Sequence, residues 1–124
     1  MGPINWLAVI MSAGLATIIG RLWYGSLSGG AKRAPLSQTI ATLALQCAPA
    51  LMLGHMYARI GPDKLALKPW LYWMQSGGLV LAFIAPALFI SYARHGLGKR
   101  PALIDAGFWL VVYLATSTLF WALA

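Results

Sequence analysis

The sequence predicts an all-α integral membrane protein with four transmembrane helices in a small bundle. Its 124 residues are 60% hydrophobic and only 9% charged, which is too little polar surface for a soluble domain of this length. Since a helix rises about 1.5 Å per residue, about 20 residues cross a bilayer core. Four uncharged runs are long enough: Met1–Gly20, Ala34–Ala58, Pro69–Ala93 and Ala106–Ala124. One membrane domain, residues 1–124, accounts for the whole sequence.

Prolines indicate where the helices begin and where they bend. Pro35, Pro69 and Pro101 lie at or just before the start of a run, where a fixed φ and a missing N–H suit the first helical turn. Pro49 and Pro86 fall inside runs, where each frees a backbone carbonyl, and we expect a kink at both. The predicted helices cover about residues 3–24, 35–60, 69–94 and 101–123.

The net charge of +7 indicates contact with lipid headgroups rather than with nucleic acid. Lys and Arg lie at the ends of the apolar runs, not along one basic face. The two loops after the first and third runs hold six of them: Arg21, Lys32, Arg33, Arg94, Lys99 and Arg100. The middle loop holds three: Arg59, Lys64 and Lys68. This bias predicts a multi-pass membrane protein with both termini in the periplasm or outside.

Small residues spaced by four predict the helix contact faces, because close backbone packing drives association in lipid. The alternative is that Ala and Gly are simply common in membrane helices. The three stripes hold Ala8, Ser12, Ala16 and Gly20 in the first helix, Ala50, Gly54 and Ala58 in the second, and Gly78, Ala82 and Pro86 in the third. We expect these faces to pack within the chain or between copies.

Asp105, one of only two acidic residues, is the first candidate for a site inside the membrane. With Trp109, Tyr113 and Ser117 it forms a polar and aromatic stripe at a spacing of four. On the predicted topology Arg21 lies at the same membrane face, so an Arg21–Asp105 ion pair is one hypothesis. The alternative is that Asp105 complements the positive end of its helix while Arg21 extends to lipid headgroups.

Few other polar residues lie in the runs. His55 is a candidate ligand for a haem or chlorophyll metal; the alternative is an interfacial histidine bonded to a neighbour or to water. Gln46 and Gln75 are predicted to hydrogen-bond across helices. The common catalytic and phosphate-binding motifs are absent from the sequence, and the single cysteine, Cys47, rules out an internal disulfide. We therefore expect no enzymatic activity, no metal and no cofactor.

Three segments resemble a bacterial membrane family catalogued as domain of unknown function 1761. They are Ile4–Val9, Leu22–Gly25 and Leu103–Leu110. The resemblance implies the four-helix fold, a location in the bacterial inner membrane and no known substrate. It also implies a shared role for the matching positions, which are Asn5, Trp6, Trp23, Tyr24, Asp105 and Trp109. In that family the Trp-Tyr pair is followed by Pro and then by Phe-Gly-Lys, whereas this chain continues with residues 26–30, Ser-Leu-Ser-Gly-Gly.

Two functions are compatible with the sequence. The first is a non-enzymatic accessory or structural subunit that packs against itself or against a larger membrane complex, as the short loops and small-residue stripes favour. The second is a small oligomeric transporter or channel, which requires Asp105 and Tyr113, with His55 as a further candidate, to face a wet cavity. In both cases the partners are the lipid bilayer and a homo-oligomer or larger membrane complex, with no nucleic acid.

Overall fold

The fold is a bundle of four long helices, seen in a computed structural model that describes residues 3–27 and 35–124. Within those residues every regular element is helical. Four helices are long and apolar enough to cross a membrane: span 1, Trp6–Gly25; span 2, Leu36–Ile60; span 3, Trp70–Arg94; and span 4, Lys99–Ala122. The predicted four-helix membrane fold is therefore confirmed, and the protein is a multi-pass membrane protein.

The helix boundaries follow the proline signals closely. Pro35 and Pro69 occupy the position directly before spans 2 and 3, whereas span 4 begins at Lys99, two residues before Pro101. A short helix, Pro62–Leu67, joins spans 2 and 3 and was not among the predicted helices. Its entry at Gly61 has a φ of +93°, a conformation that glycine adopts without steric cost.

The two interior prolines are accommodated differently. Span 2 is α-helical on both sides of Pro49. Span 3 instead contains a π-helical stretch, Val80–Ile84, that ends two residues before Pro86. At its end the Ala85 N–H donates to the Val80 carbonyl five residues back. The wider turn is a recognised way for a helix to absorb an irregularity in its hydrogen-bond ladder.

Asn5 ties the two ends of the described chain together. Its Oδ1 accepts a hydrogen bond of 3.1 Å from the Ala8 N–H and caps span 1. Its Nδ2 donates to the Leu123 carbonyl over 3.0 Å, at the end of span 4. The start of span 1 and the end of span 4 therefore lie at the same end of the bundle, as an even number of spans requires. The side of the membrane on which this end lies stays a prediction.

Spans 1 and 4 form the centre of the bundle. Span 2 packs mainly on span 1, and span 3 packs along span 4. The contacts of span 2 with span 3 involve the first half of span 3, Trp70–Leu79. Spans 2 and 3 therefore lie on the outside of the bundle and meet near one of its ends.

The small-residue stripes of spans 1 and 2 are helix contact faces. Ala8 and Ala50 are buried, and a Cβ built on Gly54 would lie 3.0 Å from the Phe120 ring and 3.3 Å from Ile4 Cγ2. This close approach requires glycine, because any side chain there would push the neighbouring helices apart.

The stripe of span 3 forms no contact within the described chain. Gly78 and Ala82 are exposed, and a Cβ on Gly78 would meet nothing within 4 Å. As a contact within the chain this prediction was wrong. The reason is that Ala and Gly suit a lipid-facing surface as well as a helix interface. Their spacing therefore does not show whether a helix face contacts lipid or another helix. Contact between copies stays a prediction.

Candidate functional site: an intramembrane cavity beside Asp105

The two ends of the bundle differ in how their polar groups are arranged. We call the end that contains Asn5, Tyr57 and Leu123 the Tyr57 end, and the end that contains Tyr24, Tyr92 and Asp105 the Tyr24 end. Each end has one tyrosine-centred hydrogen-bond cluster. The cavity described below lies towards the Tyr24 end.

Asp105 is the centre of the cluster at the Tyr24 end. Its Oδ1 accepts a hydrogen bond from the Tyr24 hydroxyl and its Oδ2 accepts one from the Tyr92 hydroxyl. The three residues come from the end of span 1, the last turn of span 3 and the second turn of span 4. Because hydrogen bonds to an ionised group are stronger than neutral ones, this cluster ties three of the four spans together. Span 2 contributes nothing to it.

The hypothesis of an Arg21–Asp105 ion pair is not what the structure contains. Both carboxylate oxygens of Asp105 accept hydrogen bonds from tyrosine hydroxyls. The Arg21 side chain is exposed instead and lines the cavity described below. Neither tyrosine was predicted from the sequence as a partner of Asp105. A tyrosine one turn from a helix end indicates an interfacial anchor equally well, so only the packing of span 3 on span 4 identifies its role.

Aromatic rings packed beside the Asp105 cluster support it. Phe108 is buried one turn along span 4 from Asp105, and its ring lies 5.2 Å from the Tyr24 ring and 6.5 Å from the Trp23 ring. Gly107 allows this arrangement, since a Cβ there would approach the Trp23 ring to 3.3 Å. The position of the Tyr24 hydroxyl is therefore fixed by packing as well as by its hydrogen bond.

A cavity of about 1760 Å³, open on one side to the surface of the bundle, lies between the halves of the four spans that lead to the Tyr24 end. Ligand pockets in proteins commonly have volumes of about 300–1,000 Å³, so this cavity is large for a chain of 124 residues. Trp109 and Tyr113 of the predicted stripe line it, and so does Tyr24, which binds Asp105. Span 2 from Leu36 to Leu45 is exposed apart from Thr39, as expected for a wall without a helix packed against it.

The two outer walls of the cavity differ in chemistry. Span 2 presents Gln38, Thr42 and Gln46, spaced by four along one face. The opposite wall, from span 3, is mainly apolar: Phe83, Ile84, Ala87, Leu88 and Ser91. Arg21 is the only charged residue that lines the cavity among the described residues. The cavity is therefore amphipathic across its width and positive at the end where Arg21 lies.

Gln46 is the deepest polar residue of the span 2 wall. It is only 5% exposed, and its Oε1 has no hydrogen-bond partner. The predicted bond across helices is thus absent for this atom. Nearby, Leu45 and Pro49 also line the cavity, and the missing N–H of Pro49 leaves the Leu45 carbonyl without its helical donor. Gln46 Oε1 is thus a buried acceptor without a donor in this part of span 2.

The Tyr57 end is closed and its polar groups are paired. The Tyr57 hydroxyl donates to the Tyr72 carbonyl over 2.9 Å and lies 2.8 Å from Ser117 Oγ, and Ser117 Oγ also lies 3.0 Å from the Tyr113 carbonyl. The Tyr57 ring packs on Tyr72 and Phe120 at centroid distances of 4.7 Å and 5.2 Å. Ser117 of the predicted stripe thus belongs to a structural network rather than to the cavity.

His55, the candidate ligand, is exposed on span 2 outside the set of residues that line the cavity. Within residues 3–27 and 35–124, no group of three or more His, Cys, Asp and Glu side chains lies close enough to hold a metal ion. The basic residues Lys32 and Arg33 of the first loop, and the departure from the family pattern at residues 28–30, lie outside the described residues.

The comparisons with known proteins add no functional assignment. No family model matches the chain, and neither the search of curated proteins nor the search of solved structures gave a match. The resemblance to domain of unknown function 1761 therefore stays a prediction. What this protein does has to be inferred from the cavity and from the Asp105 cluster.

Proposed function

We propose that this protein is a small, non-enzymatic membrane transporter that takes a solute into the cavity between spans 2 and 3. The observation that carries the proposal is the cavity of about 1760 Å³ within a four-helix chain. A transporter requires a space of this kind for its solute, whereas the packing of the four helices on one another does not require one.

The positions of Asp105 and Tyr113, two residues of the polar and aromatic stripe of span 4, favour transport over a purely structural role. Transport requires Tyr113 and Asp105 to have access to a wet space. Tyr113 lines the cavity directly, and Asp105 is one hydrogen bond away through Tyr24. His55, the third residue considered for this role, lies outside the cavity lining and has no part in the proposal.

The accessory-subunit reading remains the second candidate, and a specific observation favours it. The small-residue stripe of span 3, with Gly78 and Ala82, is exposed along a helix that has a partner on its other side only. Small residues on a free face allow a second helix to approach closely. Native mass spectrometry of the protein extracted with its lipid from a bacterial inner membrane separates the candidates: a stoichiometric larger complex favours the subunit, and the chain alone or as a homo-oligomer favours the transporter.

The transport proposal is tested first through access of water to the cavity. In a Cys47→Ser background, Thr42→Cys places a thiol on the cavity wall, and Leu43→Cys places one at the same depth of span 2 outside the lining set. We expect a charged, membrane-impermeant maleimide to label Thr42→Cys at least about tenfold faster, because only a hydrated thiol ionises and reacts. Equal and slow labelling of both variants would show a cavity filled by lipid or closed, and would contradict transport.

A second measurement tests the role of Asp105. In proteoliposomes, uptake of a solute that binds the cavity is expected to depend on an imposed proton gradient and to be lost in Asp105→Asn. Asp63→Asn is the matched control, because Asp63 is the other acid of the chain and is exposed in the short connecting helix. Uptake that is equal in the two variants would remove Asp105 from the mechanism.

A further inference from the structure

The two halves of span 2 differ in how they pack. The half that follows Pro49 has five buried residues: Ala50, Leu53, Gly54, Tyr57 and Ala58. From Leu36 to Leu45 no residue is buried, and nine of these ten residues are exposed. Local opening of a protein costs least free energy where few side chains are buried. The half of span 2 before Pro49 is therefore held less firmly than the half after it.

Pro49 lies between these two halves. It has no N–H, so the Leu45 carbonyl lacks its donor in the helix, and prolines inside helices are common sites of bending. Burial along span 2 begins at Gln46, which is 5% exposed, and continues at Ala50, which is 3% exposed. The packed and the unpacked halves of span 2 thus meet within one turn of Pro49.

The packed half of span 2 lies on span 1 in a defined register. A Cβ on Gly54 would lie 3.3 Å from Ile4 Cγ2, and the two spans are antiparallel. Steps of four residues stay on one face of a helix, so the next two levels pair Ala50 with Ala8 and Gln46 with Ser12. These four residues are all at most 5% exposed, as expected for a helix contact.

The same register continues where a cavity separates the two spans. The next two levels pair Thr42 with Ala16 and Gln38 with Gly20, and these four residues line the cavity. A Cβ built on Gly20 would meet only Phe108 within 4 Å, so span 2 does not pack on this glycine. Span 1 therefore presents two further small residues at the levels where span 2 carries Thr42 and Gln38.

We propose that residues 36–45 form a gate, which swings about Pro49 onto span 1 and closes the cavity. The structure shows the open form of this gate. Closure extends the contact that the packed half of span 2 already makes with span 1, in the same register. Closure of a segment over a binding site sequesters its contents. The inference rests on the proposed function, since a gate has a role only if the cavity takes a solute.

The closed form satisfies the polar side chains of the gate. Thr42 packs on Ala16 and Gln38 packs on Gly20, because small residues let two helices approach closely in lipid. Arg21 follows Gly20 in span 1 and lines the cavity, so its guanidinium donates to the Gln38 amide oxygen in the closed form. Without water in the cavity, a polar group of the gate needs a partner of this kind within the protein.

The test is disulfide trapping of the closed form, with the full chain in nanodiscs of phosphatidylcholine and in a Cys47→Ser background. Ala16→Cys with Thr42→Cys places two thiols at one level of the proposed contact. Ala16→Cys with Leu43→Cys is the control pair, because Leu43 is exposed at the same depth outside the cavity lining. A disulfide requires Cβ atoms about 3.5–4.5 Å apart, so we expect copper phenanthroline to oxidise the first pair at least about tenfold faster. Equal rates would overturn the gate.

Two variants of the first pair distinguish a moving gate from a fixed contact. Gly20→Leu places a side chain where Gln38 packs in the closed form, and we expect it to slow oxidation about tenfold. Gly14→Leu is the matched control on span 1, since a Cβ there meets nothing within 4 Å, and we expect the rate to be unchanged.

Pro49→Ala restores the N–H that bonds the Leu45 carbonyl and so stiffens the hinge, and we expect it to slow oxidation about threefold, as for one hydrogen bond. An unchanged rate in either Gly20→Leu or Pro49→Ala would show a contact that forms without a swing about Pro49, and would overturn the proposal. Labelling of Thr42→Cys by the charged maleimide in each variant shows that it is folded with an accessible cavity.

Failure of the gate and failure of the proposed function give different results. If the Ala16→Cys and Thr42→Cys thiols oxidise no faster than the control pair although Thr42→Cys is labelled from water, the gate is wrong and the transport proposal stands. If neither reaction occurs, both proposals are wrong. If the disulfide forms but Thr42→Cys is not labelled, span 2 moves without admitting water, and the gate fails together with transport.

Discussion

Both ends of the bundle contain a tyrosine-centred hydrogen-bond cluster, but one end is closed by packing and the other is open. At the Tyr57 end, the Tyr57 hydroxyl bonds the Tyr72 carbonyl and Ser117, and aromatic rings fill the space around it. At the Tyr24 end, the hydroxyls of Tyr24 and Tyr92 hold Asp105, while span 2 lies apart from span 3 and a cavity separates them.

This difference shows how a small bundle combines a packed end with an open one. In lipid there is no water to satisfy a polar group, so each one must find a partner inside the protein. The Tyr57 end meets this requirement within the chain. Towards the Tyr24 end, Gln46 Oε1 is buried without a hydrogen-bond partner among the described residues.

The largest expected effect comes from overfilling the closed end. Gly54→Leu places a side chain where even a Cβ would lie 3.0 Å from the Phe120 ring, and we expect a loss of about 3 kcal/mol in the free energy of unfolding. The control is Gly78→Leu on the exposed face of span 3, where a Cβ meets nothing within 4 Å; we expect a change within about 0.5 kcal/mol. The measurement is unfolding by SDS in mixed micelles, and equal losses would contradict the packing described for Gly54.

A smaller effect is expected from the cluster at the open end. Asp105→Asn removes the charge that strengthens two hydrogen bonds, and we expect a loss of about 2 kcal/mol in the free energy of unfolding, seen as a lower melting temperature in detergent. Asp63→Asn, in an exposed position, is expected to leave the melting temperature unchanged. If Asp105→Asn melted with the unaltered protein, the cluster would not stabilise the contact of spans 1, 3 and 4.

The smallest effect tests single hydroxyls at the two ends. Tyr57→Phe keeps the ring and loses two hydrogen-bond contacts, for which we expect about 1 kcal/mol, since hydrogen bonds between membrane helices average about 0.6 kcal/mol each. Tyr113→Phe, on the cavity wall, is expected to cost only a few tenths of that amount. The comparison is made by the same unfolding titration, and a larger loss for Tyr113→Phe would reverse the assignment of closed and open ends.

The number of helices and their ends were predictable, because they depend on local properties of the chain. Runs of about 20 apolar residues have only one stable form in lipid, and Pro35 and Pro69 lie directly before the helices they were expected to start. The short helix Pro62–Leu67 was missed, since six residues give too little periodic pattern to distinguish a helix from a loop.

The contents of the site were predictable only in part. Asp105, Trp109 and Tyr113 were identified because they share one helix face, and that face does point to the interior. An ion pair of Arg21 with Asp105 was one of two hypotheses, but Arg21 lies on the cavity wall, and neither Tyr24 nor Tyr92 was recognised as a partner of Asp105. Both outcomes depend on which helix lies beside which, and a single sequence without pairing information does not contain this.

The sequence by itself determined that this chain crosses a membrane four times, because the length of the apolar runs decides this. It also determined that span 1 starts and span 4 ends at the same end of the bundle, because the number of spans is even. The tertiary structure decided which small-residue stripes face helices, that two tyrosines and not an arginine bind Asp105, and that Gln46 lines a cavity instead of bonding a neighbour. The physical reason is that lipid accepts any apolar face, so helix rotation and partner choice are set by packing between helices and not by the hydropathy of any one of them.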